Sequence, residues 1–254
     1  MPNEALTMMD LLIEAHIGLE RQGPGSPEIT KKALSFLENP EQMTHVADLA
    51  CGTGGQTMTL AQGIAGTITG VDICPAFIDV FNENARKANL QGRVQGIVGD
   101  MESLPFAKKS LDLIWCEGAI DQIGFERGLR EWRGFLKPNG YLAATCPAWL
   151  TEKHPAEVER FWTDAGSRLD TIAYHTDILQ SAGYRFIAAF ALPNKCWTEH
   201  YLLPRAAAES AMQKKYGGNQ TAASYFQEEA RESALYAKHK QHYGYVFYIG
   251  QKNG

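Results

Sequence analysis

Short apolar runs alternate with amphipathic stretches along the chain from about residue 45 to residue 192. Short apolar runs are typical of buried strands, whereas apolar residues spaced three and four apart indicate helices. The clearest helical pattern runs from Pro75 to Ala88, where Phe77, Phe81 and Ala85 share one face. Strands that alternate with helices in this way predict an α/β fold, a parallel sheet with helices on both faces.

Seven runs along the chain are predicted to be strands. The sixth follows a predicted helix from His175 to Ala182, which Gly183 suits as a C-terminal residue. Pro147 is interpreted as the residue that stops the fifth strand. The predicted strands are His45–Ala50, Thr67–Ile73, Arg93–Val98, Leu111–Cys116, Tyr141–Cys146, Tyr184–Leu192 and Tyr243–Gly250.

Two further segments lie outside this alternation. A helix is predicted from Ala5 to Arg21, and the loop Gln22–Glu28 follows it because its Gly-Pro-Gly core cannot be helical. The segment from Pro193 to His242 reads as largely helical, and its length indicates a cap rather than a hairpin. We therefore predict one domain over residues 1–254. Its parts are an N-terminal helical segment (1–44), a core (45–192), a helical cap (193–242) and a last strand (243–254).

Composition excludes several classes of function. The net charge is −5, and basic residues never cluster beyond pairs such as Lys31–Lys32, which argues against a nucleic-acid partner. Five cysteines lie far apart without a Cys-x-x-Cys pair, so neither a disulfide framework nor a zinc site is expected. No window reaches the roughly 20 apolar residues of a membrane span. The first residues lack a signal-peptide pattern, and a cytoplasmic protein is expected.

Polar groups follow the first three strands at the edge where an open parallel sheet binds its ligands. Gly52 and Gly54 allow a tight turn after the first strand, and Asp48 just before it suits a positively charged ligand group. Asp72 ends the second strand and suits two ribose hydroxyls. Asp100 follows the third strand and suits an exocyclic amine such as that of adenine. Each feature alone also fits an ordinary turn or helix cap, but together they predict a nucleoside site.

A nicotinamide-dependent dehydrogenase is the main alternative, because related folds bind dinucleotides. The run from Gly52 supplies two glycines of Gly-x-Gly-x-x-Gly but has Thr57 at the third position. A carboxylate at Asp48 also fits poorly beside a pyrophosphate. Both departures favour a ligand with a cationic amino group over a dinucleotide.

Five sequence blocks resemble the class I S-adenosylmethionine-dependent methyltransferases, in particular the ubiquinone and menaquinone C-methyltransferase type. They cover roughly residues 45 to 147, and the one departure is Ala50, where the family usually has glycine. The resemblance implies a Rossmann-like, doubly wound, seven-stranded sheet with its last strand antiparallel. The matching blocks are Val46–Gly54, Gly70–Asp72, Gly99–Phe106, Leu111–Trp115 and Glu131–Gly140.

The resemblance also implies roles for individual residues. It places the methionine part of S-adenosylmethionine at the glycine turn and Asp48, the ribose at Asp72, and the adenine at Asp100 and Met101. S-adenosylhomocysteine is the implied product, and no metal is expected. The complete set of predicted cofactor-binding residues is Asp48, Ala50, Gly52, Gly54, Gln56, Thr57, Asp72, Ile73, Asp100, Met101 and Glu117.

Enzymes of this fold that methylate nucleic acids are disfavoured by two positions. The fourth strand is followed by Cys116–Ala119 rather than by an Asn/Asp-Pro-Pro-Tyr type sequence. Cys146–Pro147 ends the fifth predicted strand and lacks the Pro-Cys order of cytosine C5 enzymes. A small-molecule acceptor is therefore expected.

Methyl transfer from a sulfonium is expected to be a direct in-line displacement, which needs alignment of the acceptor and exclusion of water. A base is needed only when the acceptor must lose a proton. Glu117 is the best-placed candidate for a base, although a purely cofactor-binding or structural role fits equally well. His154 is the second candidate for a catalytic residue, and His200 is a candidate for a residue that reaches the site. His239 and His242 are interpreted as solvated.

An apolar or aromatic acceptor site is expected beneath the cap, with the Gln22–Glu28 loop helping to close it. Most aromatic residues near this site are expected to pack between cap and sheet, and a few to line it. Carbon, oxygen and nitrogen remain open as the atom methylated, as does the oligomeric state. A protein that binds S-adenosylmethionine without turning it over is the non-enzymatic alternative. The aromatic residues in question are Trp149, Phe161, Trp162, Trp197, Tyr201, Tyr225 and Phe226.

Overall fold

Eight strands form a single sheet in the computed structural model, which describes residues 6–254. Six of them begin within two residues of the predicted starts, and the fifth is much longer than predicted. The strands are β1 (His45–Leu49), β2 (Thr67–Asp72), β3 (Val94–Val98), β4 (Leu111–Cys116), β5 (Leu136–Trp149), β6 (Asp170–Thr171), β7 (Tyr184–Ala191) and β8 (Tyr243–Lys252).

The strand order is β3-β2-β1-β4-β5-β8-β7. All neighbours are parallel except β8, which lies between β5 and β7 and runs antiparallel to both. The seven-stranded sheet with an antiparallel last strand is therefore confirmed. The two residues of β6 add a short parallel pairing at the end of β5. Strand order reverses beside β1, so the ends of β1 and β4 are where a ligand crevice is expected.

Helices cover both faces of the sheet and form the predicted cap before β8. A single turn of π-helix, Thr198–Leu202, joins α9 to α10. The α-helices are α1 (Met8–His16), α2 (Pro27–Leu34), α3 (Gly55–Leu60), α4 (Pro75–Lys87), α5 (Ile120–Ile123), α6 (Phe125–Trp132), α7 (Ala156–Asp164), α8 (Ile172–Ser181), α9 (Asn194–Trp197), α10 (Leu203–Lys215) and α11 (Gln220–His239).

Strand β4 shows how the two layers of core arise. Its side chains alternate, so that Leu113 and Trp115 pack into one hydrophobic cluster and Ile114 and Cys116 into the other. All four are completely buried. A strand that is apolar on both faces needs helices on both sides, as the unbroken apolar run predicted.

Strand β5 differs from its prediction at both ends. It begins at Leu136, and its pairing with β4 shifts where Asn139 adopts a φ of 61°. It also continues past Pro147 to Trp149, so the interpretation of Pro147 as a strand stop is wrong. Pairing with β4 ends at Ala144, which leaves one edge of β5 without a ladder partner at the proline. Proline is tolerated in strands at such positions.

The N-terminal helix is shorter than predicted. Ala5, where the prediction begins, lies outside the described residues, and α1 runs only from Met8 to His16. The loop after it ends at Ser26, two residues earlier than the predicted Glu28, because Ser26 caps α2 by accepting a hydrogen bond from the Ile29 N–H.

Helix α1 packs against the cap rather than against the sheet. Leu11 and Ala15 form a separate hydrophobic cluster with Met212 of α10 and with Ala222 and Tyr225 of α11. All five residues are at least 97% buried. The two ends of the sequence therefore build one cover over the strand ends.

Candidate active site

A cavity of about 780 Å³ lies between the strand ends and this cover. Its volume is within the range of small-molecule and cofactor sites. The sheet side of the wall comes from the glycine turn after β1 and from the ends of β2, β3 and β4. The opposite side comes from α1, the segment that follows it, and helices α7, α10 and α11.

The turn after β1 has no room for side chains at its glycines. Gly52 and Gly54 have φ of 54° and 87°. A Cβ atom on Gly52 would lie 2.0 Å from Gln22 Oε1, and one on Gly54 would lie 2.6 Å from the Phe81 ring. Because both positions need positive φ and close approach, only glycine fits.

Ala50 adopts the same left-handed conformation, with a φ of 52°. This explains why glycine is usual at this position, since a Cβ in this region costs about 1–2 kcal/mol. We expect Ala50→Gly to raise the free energy of unfolding by about 1 kcal/mol, after the larger chain entropy of glycine is subtracted. Urea titration at constant m-value measures the change. A loss of stability would show that the alanine methyl contributes more packing than its conformation costs.

Asp72 ends β2 with its carboxylate held by two backbone donors. Oδ2 accepts from the Gly52 N–H and Oδ1 from the Cys74 N–H, both at 2.9 Å. Burial raises the pKa of this carboxyl, while the two backbone hydrogen bonds oppose the increase. The carboxylate is thereby fixed at the cavity wall with lone pairs left for further donors.

The next groups along the wall are Ile73, Asp100 and Met101. The Ile73 side chain is 72% exposed although it is apolar, and it extends into the cavity region beside Asp72. Asp100 Oδ1 accepts from the Glu102 N–H at 2.8 Å. The Met101 carbonyl is fixed by a hydrogen bond from Trp132 Nε1 at 2.9 Å. This region offers an apolar surface flanked by acceptors.

Eight of the predicted cofactor residues line the cavity, and three do not. Asp48, Gly54 and Thr57 lie behind the turn. The residues that do line it are Ala50, Gly52, Gln56, Asp72, Ile73, Asp100, Met101 and Glu117.

Asp48 differs most from its expected position. Its side chain is completely buried, Oδ2 accepts from the Thr57 hydroxyl, and Oδ1 has no hydrogen-bond partner within residues 6–254. It therefore does not face a ligand group, because the glycine turn lies between it and the cavity. Burial raises the pKa of this carboxyl to about 7, with the nearby Glu117 carboxylate adding to the effect.

This raised pKa predicts a pH-dependent stability. The native state holds the Asp48 proton more tightly than the unfolded chain, so stability present at low pH is lost as the pH rises from about 4 to about 7. Asp48→Asn removes this loss. We expect the free energy of unfolding of the Asp48→Asn variant, relative to that of wild type, to increase by on the order of 2–3 kcal/mol between pH 5 and pH 8. Parallel urea titrations at the two pH values test this, and a constant difference would contradict it.

Glu117, at the end of β4, is held by three donors. Its Oε2 accepts from Arg21 Nη1 at 2.8 Å, and its Oε1 accepts from the Thr30 hydroxyl at 2.7 Å and from Trp115 Nε1 at 2.9 Å. The Arg21 and Glu117 side chains are each only 4% exposed. The three donors hold the Glu117 carboxylate in place at the cavity wall beside Arg21.

The segment after α1 lies directly on the glycine turn. Gln22 Oε1 accepts from the Thr53 N–H at 2.8 Å, and Gln22 Nε2 donates to the Thr53 hydroxyl at 3.0 Å. Arg21, Gln22, Gly23 and Pro24 line the cavity. The loop thus covers the cofactor end of the cavity, whereas the sequence had placed it over the acceptor end. No local motif indicated Arg21 or Gln22.

The predicted histidines lie away from the cavity. His154 is exposed and stacks on Trp149 with ring centroids 4.3 Å apart, and His200 is also outside the cavity wall. The interpretation of His239 as solvated is wrong, because its ring is 9% exposed and its Nε2 lies 2.5 Å from Glu157 Oε1. His242 follows α11 and contacts the Thr151 hydroxyl at 2.9 Å.

Of the seven aromatic residues considered, Phe161 and Tyr201 line the cavity. The others pack elsewhere, as Trp197 does against Tyr236 with stacked rings. A histidine that the sequence did not suggest, His16, lines the cavity beside Tyr201 and is 4% exposed.

Arg205 of α10 lies at the far end of the cavity, opposite the strand ends. It donates to the Tyr201 hydroxyl at 2.9 Å and forms ion pairs with Glu209, Glu229 and Glu232. Its own side chain is 2% exposed. The apolar wall beside this cluster consists of Met9, Leu12, Ile13 and Phe161.

No group of three or more His, Cys, Asp or Glu side chains within residues 6–254 is arranged to hold a metal ion. No helix in the same range combines the length and the apolarity needed to cross a bilayer.

Residues 46–140 match the family model described as a methyltransferase domain. The chain is 33% identical over 101 residues to the ubiquinone/menaquinone biosynthesis C-methyltransferase of Pseudoalteromonas translucida, a match that covers 39% of this chain and 40% of that protein. It is 29% identical over 164 residues to the malonyl-[acyl-carrier protein] O-methyltransferase of Dechloromonas aromatica, covering 62% and 57%. The chain spans about half the length of the curated relatives it matches.

A solved structure has a similar fold over almost the whole chain. It is an S-adenosylmethionine-dependent methyltransferase from Geobacter sulfurreducens in complex with S-adenosylhomocysteine, with a TM-score of 0.80, 20% identity and coverage of 97% of this chain and 98% of that one. The strand order, the glycine turn and the family match agree with one another. Residues 46–140 therefore match a methyltransferase domain, and the chain has the fold of a solved S-adenosylmethionine-dependent methyltransferase.

Proposed function

We propose that this chain transfers a methyl group from S-adenosylmethionine to a small-molecule acceptor. The observation that carries the proposal is a single cavity that joins a nucleoside-type wall at the strand ends to a second, separate wall beneath the cap. Such a cavity suits a reaction in which two molecules must lie end to end. The match of residues 46–140 to a methyltransferase domain supports methyl transfer as that reaction.

The residues at the strand ends fit the adenosine part of the cofactor. Asp72 has free lone pairs for two ribose hydroxyls, while Ile73 offers an apolar surface for one face of the adenine. Asp100 and Met101 lie where the adenine edge would be. The glycine turn after β1 adds Ala50, Cys51 and Gly52 to the same wall.

Arg21 and Glu117 fit the amino-acid part of the cofactor. Arg21 Nε is buried and has no hydrogen-bond partner within residues 6–254, although Nη1 and Nη2 of the same group have partners. Arg21 and Glu117 present a cation and an anion side by side at the cavity wall. The carboxylate and ammonium of a methionine group form the complementary pair, and the carboxylate would supply the acceptor that Arg21 Nε lacks.

Bound S-adenosylmethionine supplies an activated methyl group that an acceptor atom can displace in line. The chain's own part is to hold both molecules in that line and to exclude water. The N-terminal segment closes over the glycine turn through Gln22, and the cap closes the far end. Neither task requires a metal ion.

The comparisons define the cofactor more closely than the acceptor. The family match lies in residues 46–140, whereas the far wall of the cavity comes from helices outside that range. The relatives' names include both a C- and an O-methyltransferase. Likeness in the cofactor half therefore leaves the methylated atom open, and the far wall itself must be used to identify it.

Isothermal titration calorimetry with S-adenosylmethionine, S-adenosylhomocysteine and NAD tests this function. We expect both adenosyl ligands to bind and NAD not to bind. Binding of NAD alone would overturn the proposal in favour of a dehydrogenase. Binding of S-adenosylmethionine without turnover of any acceptor would favour a protein that only binds the cofactor.

A further inference from the structure

The far wall of the cavity carries more carboxylates than cations: it is lined by two arginines, Arg205 and Arg231, and by the carboxylates of Asp164, Glu228, Glu229 and Glu232. Arg205 is surrounded by Glu209 on its own helix and by Glu229 and Glu232 on α11, and their side chains are 12–19% exposed. One cation among three carboxylates leaves a surplus of two negative charges when all are ionised. Glu229 and Glu232 line the cavity itself.

The two terminal nitrogens of Arg205 are engaged by groups of the chain itself. Nη1 contacts the Tyr201 hydroxyl, Glu229 and Glu232, and Nη2 donates to the Glu229 carbonyl and the Ser233 hydroxyl, both at 3.2 Å. Nε lies 3.2 Å from Glu209 Oε1 but makes no hydrogen bond of proper geometry within residues 6–254. The three carboxylates around this arginine disfavour an acceptor that carries a further carboxylate or phosphate, because like charges repel.

Buried acceptor atoms in the same cluster lack donors. Glu229 Oε2 and Glu209 Oε1 lie near Arg205 but have no hydrogen bond of proper geometry within residues 6–254. The Tyr225 hydroxyl also has no partner in that range, although Tyr225 is only 2% exposed. Burial raises the pKa of Tyr225, and the charges of Glu229, Glu209 and Glu232 add to the rise while Arg205 opposes it. Glu229 lines the cavity, so a ligand there with N–H donors would satisfy its Oε2.

His16 does not add a positive charge that would offset the surplus of carboxylates. Its Nδ1 lies 2.8 Å from the Leu12 carbonyl and therefore carries the proton, so Nε2 accepts from the Tyr201 hydroxyl at 3.3 Å. Burial lowers the pKa of this ring to about 4, which keeps it neutral near pH 7. The far wall thus remains anionic.

We propose, on the basis of the methyltransferase function proposed above, that the acceptor is a small amine methylated on nitrogen and that Glu229 takes its proton. The ammonium form donates to Glu229 and passes one proton to that carboxylate. The nitrogen lone pair then forms the new N–C bond, while the S–C bond breaks with its electron pair remaining on sulfur. The products are the methylated ammonium and the neutral thioether S-adenosylhomocysteine.

Burial makes this proton transfer favourable. A neutral amine beside a protonated carboxyl needs less solvation than an ammonium beside a carboxylate, so a dry site favours the neutral pair. Burial raises the pKa of Glu229 to about 7, with Glu232, Glu209 and Glu228 adding to the rise and Arg205 opposing it. The apolar wall of Met9, Leu12, Ile13 and Phe161 suits a hydrocarbon frame on the amine.

Matched acceptors test the class of substrate. Benzylamine, phenethylamine and n-butylamine are each compared with the corresponding alcohol and carboxylate in the presence of S-adenosylmethionine, and S-adenosylhomocysteine is quantified by chromatography. We expect turnover to be confined to the amines. Turnover of the alcohols or carboxylates at equal or higher rates would overturn the amine assignment, and so would absence of turnover with every amine. Failure to bind S-adenosylhomocysteine would instead overturn the proposed function.

Glu229→Gln tests the proton acceptor with whichever amine is turned over fastest. We expect kcat to fall by about 100-fold or more, the usual contribution of a general base, while the Kd for S-adenosylhomocysteine is unchanged. The wild-type rate should rise with pH through about 7, and the variant should lose this limb. Glu229→Asp should restore part of the rate, and Glu199→Gln, an exposed cap residue, should behave as wild type. A Glu229→Gln enzyme with the wild-type rate and pH profile would exclude this role.

Discussion

Replacing Asp72 by alanine is expected to weaken the binding of S-adenosylhomocysteine about 100-fold, or ~2.7 kcal/mol. Two charge-assisted hydrogen bonds to ribose hydroxyls account for a change of this size. The substitution also removes the acceptor for the Gly52 and Cys74 N–H groups, so the glycine turn loses an anchor. Calorimetric titration of the purified variant measures the effect.

Two further variants separate the ribose contacts from general damage to the fold. Asp72→Asn keeps an acceptor oxygen without the charge and should bind with intermediate affinity. Asp79→Ala removes an exposed carboxylate from α4 and should bind as wild type. If Asp72→Ala bound S-adenosylhomocysteine within threefold of wild type, the assignment of the ribose to the end of β2 would be wrong.

The Arg21→Ala variant is expected to lose about 3 kcal/mol of stability, because it leaves Glu117 charged and buried without its partner. Both side chains of this pair are 4% exposed, so water does not replace the lost contact. The affinity for S-adenosylmethionine should fall about 10-fold or more, since the donor proposed for the methionine carboxylate is removed. Urea titration and calorimetry measure the two effects separately.

A double variant distinguishes these two roles of Arg21. Arg21→Met with Glu117→Gln replaces the ion pair by neutral groups of similar size, and it should recover most of the stability. Its affinity for the cofactor should remain low, because both charges that face the methionine group are absent. Recovery of affinity together with stability would mean that Arg21 only supports the fold.

The cofactor half of the site was predictable because its determinants are local. A strand that ends in a glycine turn has few possible conformations, and Asp72 and Asp100 occupy the strand ends that their positions in the sequence imply. The parallel sheet then brings these ends to one edge. Ile73 was predicted as a contact from its place after Asp72, and it lines the cavity as expected.

Asp48 shows the limit of such reasoning. The sequence places it at the end of a strand, but period-two alternation decides whether its side chain faces the ligand or the interior. Here it faces inward, and Thr57 satisfies it from the following helix. Thr57 lies nine residues further along the chain, and nothing in the sequence indicates that it contacts Asp48. The direction of the Asp48 side chain was therefore not predictable.

The far wall was not predictable because its contacts join distant segments. In this wall, His16 and Tyr201 are 185 residues apart, and Arg205 and Glu232 are 27 residues apart. Helix α11 reads as an ordinary charged helix, and only its packing against Arg205 buries Glu229 and Glu232. The apolar acceptor site expected from the aromatic residues therefore describes only part of the wall that forms.

The packing of α1 against α10 and α11 determines how the acceptor preference of this scaffold can be exchanged. Met9, Leu12 and Ile13 line the same cavity as Glu229, yet they come from the opposite end of the sequence. Transplanting residues 193–242 alone would place a new cap on an unmatched helix and expose the cluster around Leu11. The exchangeable unit is discontinuous and includes the segment through Ser26, so recombination between relatives must take both pieces from one parent.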